Sequence, residues 1–102
     1  MDVNERIRQL LKAQGWSQYK LAKMSGLSES TIANLFKRNT VPSISTLEQI
    51  CSGFGMTLSQ FFAESEMVEM TPDLKELFDN WRNLTREQKA AVSQMIKAMQ
   101  KQ

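Results

Sequence analysis

Glu29, Ser30, Thr31, Ala33 and Asn34 share one side of a helical segment whose other side, through Ile32 and Leu35, is apolar. Short polar side chains in that arrangement do hydrogen-bonding chemistry. They suit a helix laid in the major groove of a duplex, where base edges offer donors and acceptors. A solvated helix face is the competing reading of the same residues. Bond-making chemistry finds little support. The 102-residue chain has no His and a single Cys, Cys51, so His-based acid–base catalysis, a structural zinc site and an intrachain disulfide framework are not expected. Its four glycines form no phosphate-cradling loop. The expectation is a binding protein rather than an enzyme, with no cofactor and no metal.

The elements that must hold this face in place read as helices from end to end. Val3, Ile7, Leu10 and Leu11 follow i, i+4, i+7, i+8 spacing and predict a first helix, with Asp2 as its cap and Gly15 as its stop. Ser17 caps a second helix, with Trp16 and Leu21 placed as a hydrophobic staple, and Gly26 ends it. Ser25, Gly26 and Leu27 alone separate it from a third helix opening at Ser28, which forces the two to cross steeply. Ala22 is small where the crossing backbones would approach. Leu27 and Ile32 staple the third helix, and Glu29 favours its positive end. The pattern breaks over Lys37-Arg38-Asn39-Thr40-Val41-Pro42, since Pro42 restricts Val41 to extended backbone. Ser43 and Ser45 compete to cap a fourth helix, striped by Leu47, Ile50, Cys51 and Phe54 and stopped at Gly55. A short fifth helix starts at Thr57, where Gln60 completes a capping box and Met56 and Phe61 form a third staple.

Residues 63–70 carry Glu64, Glu66 and Glu69 with no strong period and read as an acidic linker. Thr71-Pro72-Asp73 then starts a helix striped by Leu74, Leu77, Phe78 and Trp81. Thr85 with Gln88 opens a last one, striped by Val92, Met95, Ile96 and Met99. Together they predict a C-terminal helical hairpin over 71–102. Neither helix has enough apolar surface to stand alone in water, so both must pack on the rest of the chain or on a second copy, and pairing is the favoured reading. At 11.7 kDa the chain amounts to one domain with a short appendage. Its net charge of +2 is unevenly spread: residues 1–62 carry seven bases against four acids, the remainder six against seven. No apolar run is long enough for a transmembrane helix, and Met1-Asp2-Val3-Asn4-Glu5 lacks the pattern of a signal peptide, so a reduced, cytoplasmic setting is expected.

Gln18-Tyr19-Lys20-Leu21-Ala22, Ser25-Gly26-Leu27-Ser28, Thr31-Ile32, Pro42-Ser43, Thr46-Leu47 and Met56-Thr57-Leu58 together resemble the Cro/phage-repressor (Xre) helix-turn-helix family. The resemblance covers residues 4–62 in unbroken register. Each motif is weak alone; their joint spacing is specific. It implies an all-α chain in which residues 1–62 form a five-helix, lambda-repressor-like DNA-binding domain. It also implies roles. Gln18 would clamp a DNA phosphate, assisted by the N-terminus of its helix. Glu29, Ser30 and Asn34 would read bases: Asn34 is suited to adenine N6 and N7, and Glu29 either to cytosine N4 or only to the helix dipole. Ser28 and Thr31 would add phosphate contacts, with helix capping the competing role. Lys37, Arg38, Asn39 and Thr40 match the loop that grips the backbone after the recognition helix, a solvated charge pair being the alternative for the two bases.

Two departures from the family pattern carry consequences. Leu11 and Phe36 stand where many relatives pair an arginine with a glutamate, and exchanging both for apolar residues is physically coherent. Arg38 stands where glycine is frequent, so the left-handed position is expected to move to Asn39. The function implied is a sequence-specific double-stranded DNA-binding transcriptional regulator of repressor type. It would place a recognition helix (about 28–36) in the major groove and act as a homodimer through residues 71–101 on a roughly palindromic operator. Any signal would act through a protein effector or the dimer equilibrium. An antitoxin-type protein or a protein-binding adaptor is the alternative, favoured by the mild charge and by Glu29. Trp16 and Trp81 are expected in the core. The seven methionines read mostly as core fillers, Met95 and Met99 also suiting an adaptable interface, and Cys51 as an inert buried thiol.

Overall fold

The computed structural model describes residues 3–63 and 71–99. The Asp2 cap, Glu64, Glu66 and Glu69 of the acidic linker, and the side chains of Ile96 and Met99 lie outside the described residues. Among the described residues every regular element is helical: α1 (Val3–Gln14), α2 (Gln18–Ser25), α3 (Glu29–Arg38), α4 (Ile44–Gly53), α5 (Leu58–Ala63), α6 (Pro72–Asp79), a 3-10 turn (Trp81–Asn83) and α7 (Arg86–Met99). They gather into two compact units, one ending at Met56 and the other beginning at Thr57.

In the first unit, α1 buries Val3, Ile7, Leu10 and Leu11, the stripe its spacing predicts. Ser17 caps α2, its hydroxyl accepting from the Lys20 N–H at 3.1 Å. Gly26 ends α2 in left-handed backbone (φ 75°, ψ 15°), which costs glycine nothing and turns the chain at once into α3. Ile32, Leu35 and Phe36 anchor α3 in the core, and α2 packs against both α3 and α4. The competition for the α4 cap is settled at Ser43, whose hydroxyl accepts from the Thr46 N–H at 3.2 Å. Trp16 stacks on Phe54 with ring centroids 5.2 Å apart. Ala22 is buried, and Gly53, the last residue of α4, lies close against the α2 backbone, where a Cβ would come within 3.1 Å of Ser25.

In the second unit, Thr57 and Gln60 cap α5 reciprocally: the Thr57 N–H donates to Gln60 Oε1 at 2.9 Å and the Gln60 N–H to Thr57 Oγ1 at 3.1 Å. Thr71 caps α6 through the Leu74 N–H, with Pro72 in the first turn. α5 and α6 pack together through Phe62 and Phe78, stacked 5.1 Å apart. The Ser59 hydroxyl donates to Asp79 Oδ1 at 2.7 Å. One expectation needs correction: Trp81 does not continue the α6 stripe. Asn80 leaves helical geometry (φ −106°, ψ 24°) while its side-chain amide donates to the Glu76 carbonyl, competing with the backbone for that acceptor, and α6 stops at Asp79. Trp81 is nonetheless buried, in the 3-10 turn, with the Lys89 ammonium 5.5 Å from its ring centroid. The Thr85–Gln88 box then opens α7.

Candidate nucleic-acid interface

Amphipathicity decides which side of α3 is presented. With Ile32, Leu35 and Phe36 buried, Glu29, Ser30, Thr31, Ala33, Asn34, Lys37 and Arg38 are all exposed. Ser30, Asn34, Lys37 and Arg38 follow i, i+4, i+7, i+8 spacing and form one stripe. The stripe begins in a hydroxyl cluster: Ser28 Oγ lies 2.7 Å from Thr31 Oγ1 and 3.2 Å from Ser30 Oγ, and accepts from the Thr31 N–H at 3.1 Å. Ser28 is therefore the N-cap of α3, the role that competed with phosphate contact. Gln18 is the first residue of α2, exposed, immediately after the Ser17 cap.

The basic pair is placed differently from the sequence expectation. Lys37 and Arg38 belong to the last turn of α3 and not to the following loop, so the helix runs to Arg38 instead of about residue 36. Asn39 sets the stop: it adopts left-handed backbone (φ 49°, ψ 44°), the position expected to move there, and its N–H bonds the Phe36 carbonyl at 3.3 Å. The negative end of the helix dipole favours two cations in that turn. The loop proper keeps Asn39 and Thr40, both exposed.

Two features escaped the sequence reading. Asn4, buried in the first turn of α1, donates its Nδ2 to Asn39 Oδ1 at 3.2 Å and to the Thr40 carbonyl at 2.8 Å. Its i+3 and i+7 spacing to Ile7 and Leu11, which puts a polar side chain on the buried face of α1, is the one signal that pointed to it. Tyr19, beside Gln18, is 61% exposed, which its place in the motif did not foretell. The Leu11 and Phe36 positions are both buried, and the Arg8 guanidinium lies over the Phe36 ring, 5.1 Å from its centroid, while bonding Glu5 at 3.3 Å. Cys51 is buried, and burial, with the Glu48 charge second, pushes its thiol up to about 12.

Among the described residues, no helix is long and apolar enough to cross a membrane. No solved structure matches the chain significantly. The HTH-type transcriptional regulator PuuR of Escherichia coli is 37% identical over 62 residues, which is 61% of this chain and 34% of that protein. The competence pilus inhibition repressor of Acinetobacter baylyi is 33% identical over 82% of this chain and 74% of its own length. The immunity repressor protein of Bacillus phage phi105 is 30% identical over 68% and 48% respectively. The chain thus spans about a third of the first relative (34%) and about half of the phage repressor (48%). The helix-turn-helix family model matches residues 7–61, from α1 into α5 and more than half of the chain. The chain belongs to the helix-turn-helix family, of the Cro/phage-repressor (Xre) type.

Proposed function

We propose that this chain is a sequence-specific transcriptional regulator that binds double-stranded DNA, represses, and acts as a homodimer. The observation that carries the reading is the exposed stripe of α3, which ranges Ser30 and Asn34 ahead of Lys37 and Arg38 on one helix face. Hydrogen-bonding groups that discriminate base edges are thereby followed by cations that neutralise phosphate. Relatives named as repressors support the direction of regulation. In this reading Asn34, Ser30 and Glu29 face base edges; Gln18, Ser28, Thr31, Lys37, Arg38, Asn39 and Thr40 face the sugar–phosphate backbone. Residues 1–62 serve as the DNA-binding domain, 63–70 as a linker, and 71–101 pair two copies. Pairing supplies what one short helix lacks, since two half-sites about 34 Å apart multiply the specificity of each.

The test is selection of bound duplexes from a random-sequence pool, followed by sedimentation of the full chain with the selected duplex. The expected result is an enriched, roughly palindromic site bound by two copies. A pool that stays random after repeated selection at moderate salt would overturn the reading.

A further inference from the structure

Asn39 and Thr40 follow the two cations that close α3, and they are joined to the far end of the sequence by a single buried amide. Asn4 is 2% exposed and stands 35 residues before Asn39, yet one nitrogen, Nδ2, donates to both loop residues. Hydrogen-bond chemistry fixes the orientation of all three groups. The Thr40 carbonyl only accepts, so the Asn4 atom facing it is the NH2. That NH2 in turn requires an acceptor from Asn39, which is Oδ1. The planar amide of Asn39 therefore keeps its donor pole, Nδ2, on the side away from Asn4, in an exposed residue next to Lys37 and Arg38. A second constraint acts on the backbone: Asn39 is the one described non-glycine residue at positive φ, and the Asn4 bonds hold both its side chain and the next carbonyl in that conformation.

We propose that Asn4 is a positioning residue for DNA binding: it presents the Asn39 amide N–H to one phosphate of the duplex without touching DNA itself. The proposal rests on the DNA-binding reading above and goes further, because it assigns one phosphate contact to a residue of α1. A loop restrained in advance loses less conformational freedom on binding than one ordered by the ligand.

The probe is the duplex selected by the wild-type chain, resynthesised with a single neutral methylphosphonate at each backbone position in turn. Wild type should lose affinity by about tenfold at the phosphate held by Asn39, the loss expected for one hydrogen bond to a charged group. Asn39→Gly, exposed and tolerant of positive φ, should bind about tenfold more weakly and become insensitive at that phosphate. Asn4→Ala should become insensitive at the same phosphate and stay sensitive at all others, a selectivity that general loosening of the fold would not produce. If Asn4→Ala does not fold, Asn4→Ser takes its place, because its hydroxyl cannot reach both acceptors. Undiminished sensitivity at that phosphate in the Asn4 variant, or in Asn39→Gly, overturns the proposal. Failure of the wild type to select any duplex would instead bring down the DNA-binding reading itself.

Discussion

Gly53 of α4 meets Ser25 of α2 backbone to backbone: a Cβ on Gly53 would lie 3.1 Å from both the Ser25 Cα and its amide nitrogen, and 3.2 Å from the Met24 carbonyl carbon. The neighbours are main chain and cannot swing aside as a side chain would. Gly53→Ala should therefore destabilise by about 1–3 kcal/mol through overpacking, exceeding the gain of up to about 1 kcal/mol in helix propensity. Denaturant unfolding checks this. A midpoint at or above the wild-type value would show that α4 can retreat without loss.

The two halves of the α3 stripe should separate in a binding experiment. Asn34→Ala should lower discrimination between the selected site and a scrambled duplex, at a cost of about 1–3 kcal/mol on the former. Lys37→Ala should weaken both duplexes alike and reduce the slope of log affinity against log salt by about one. Gel-shift titrations across a salt series measure both. Equal losses on both duplexes for Asn34→Ala would remove its base-reading role.

Ser28 caps α3 with its hydroxyl, and Ser28→Ala should cost about 1 kcal/mol of stability whatever the ligand. Ser28→Asp, which restores a capping acceptor but adds negative charge, should regain stability while losing duplex affinity if the hydroxyl cluster faces phosphate. Thermal unfolding and gel shift, run on the same two variants, distinguish the cap from the contact.

Burial holds the Cys51 thiol protonated far above its ordinary range, from 9.0 to about 12. In the unfolded chain the thiol ionises at its ordinary value, so unfolding releases a proton between those limits. This contribution to stability is intact below pH 9.0 and declines as the pH rises from there toward about 12. An aromatic disulfide reagent should label Cys51 only as fast as the native chain opens. Prompt labelling at neutral pH would contradict the buried placement.

Asp79 behaves oppositely. The Ser59 hydroxyl, and after it Lys75, hold its carboxyl below the ordinary 3.8. Stability from this cluster is present above that pH and is lost as the pH falls through the depressed value. Ser59→Ala should raise the Asp79 titration midpoint toward the ordinary value, read directly by carboxyl NMR. An unchanged midpoint would mean that Lys75 alone sets it.

Local chemistry made most of the fold legible. Ser17, Ser28, Thr57, Thr71 and Thr85 announce helix starts because their caps bond within three residues. Gly26 announces a turn because left-handed backbone suits it. The exposed side of α3 was readable for the same reason: Ile32 and Leu35 can point only one way. What escaped depends on partners distant in sequence or on competition at helix ends. Nothing near Asn4 says that it bonds a loop 35 residues away, and nothing near Gly53 says that Ser25 sits against it. The basic residues at 37 and 38 look like loop in isolation, although a left-handed stop at Asn39, expected from Arg38 standing where glycine is frequent, already implies a helix lasting two residues longer.

Because Lys37 and Arg38 complete α3, the Asn34 amide and the two cations occupy a single stiff rod. Their angular offset is set by helical pitch, so an extra residue between Asn34 and Lys37 would swing the cations by about 100° around the axis. Loops absorb insertions; this segment cannot. In the proposed DNA-binding reading its length would act as a ruler for the target site, and variation in target preference would come from exchanging side chains along the rod, not from lengthening it.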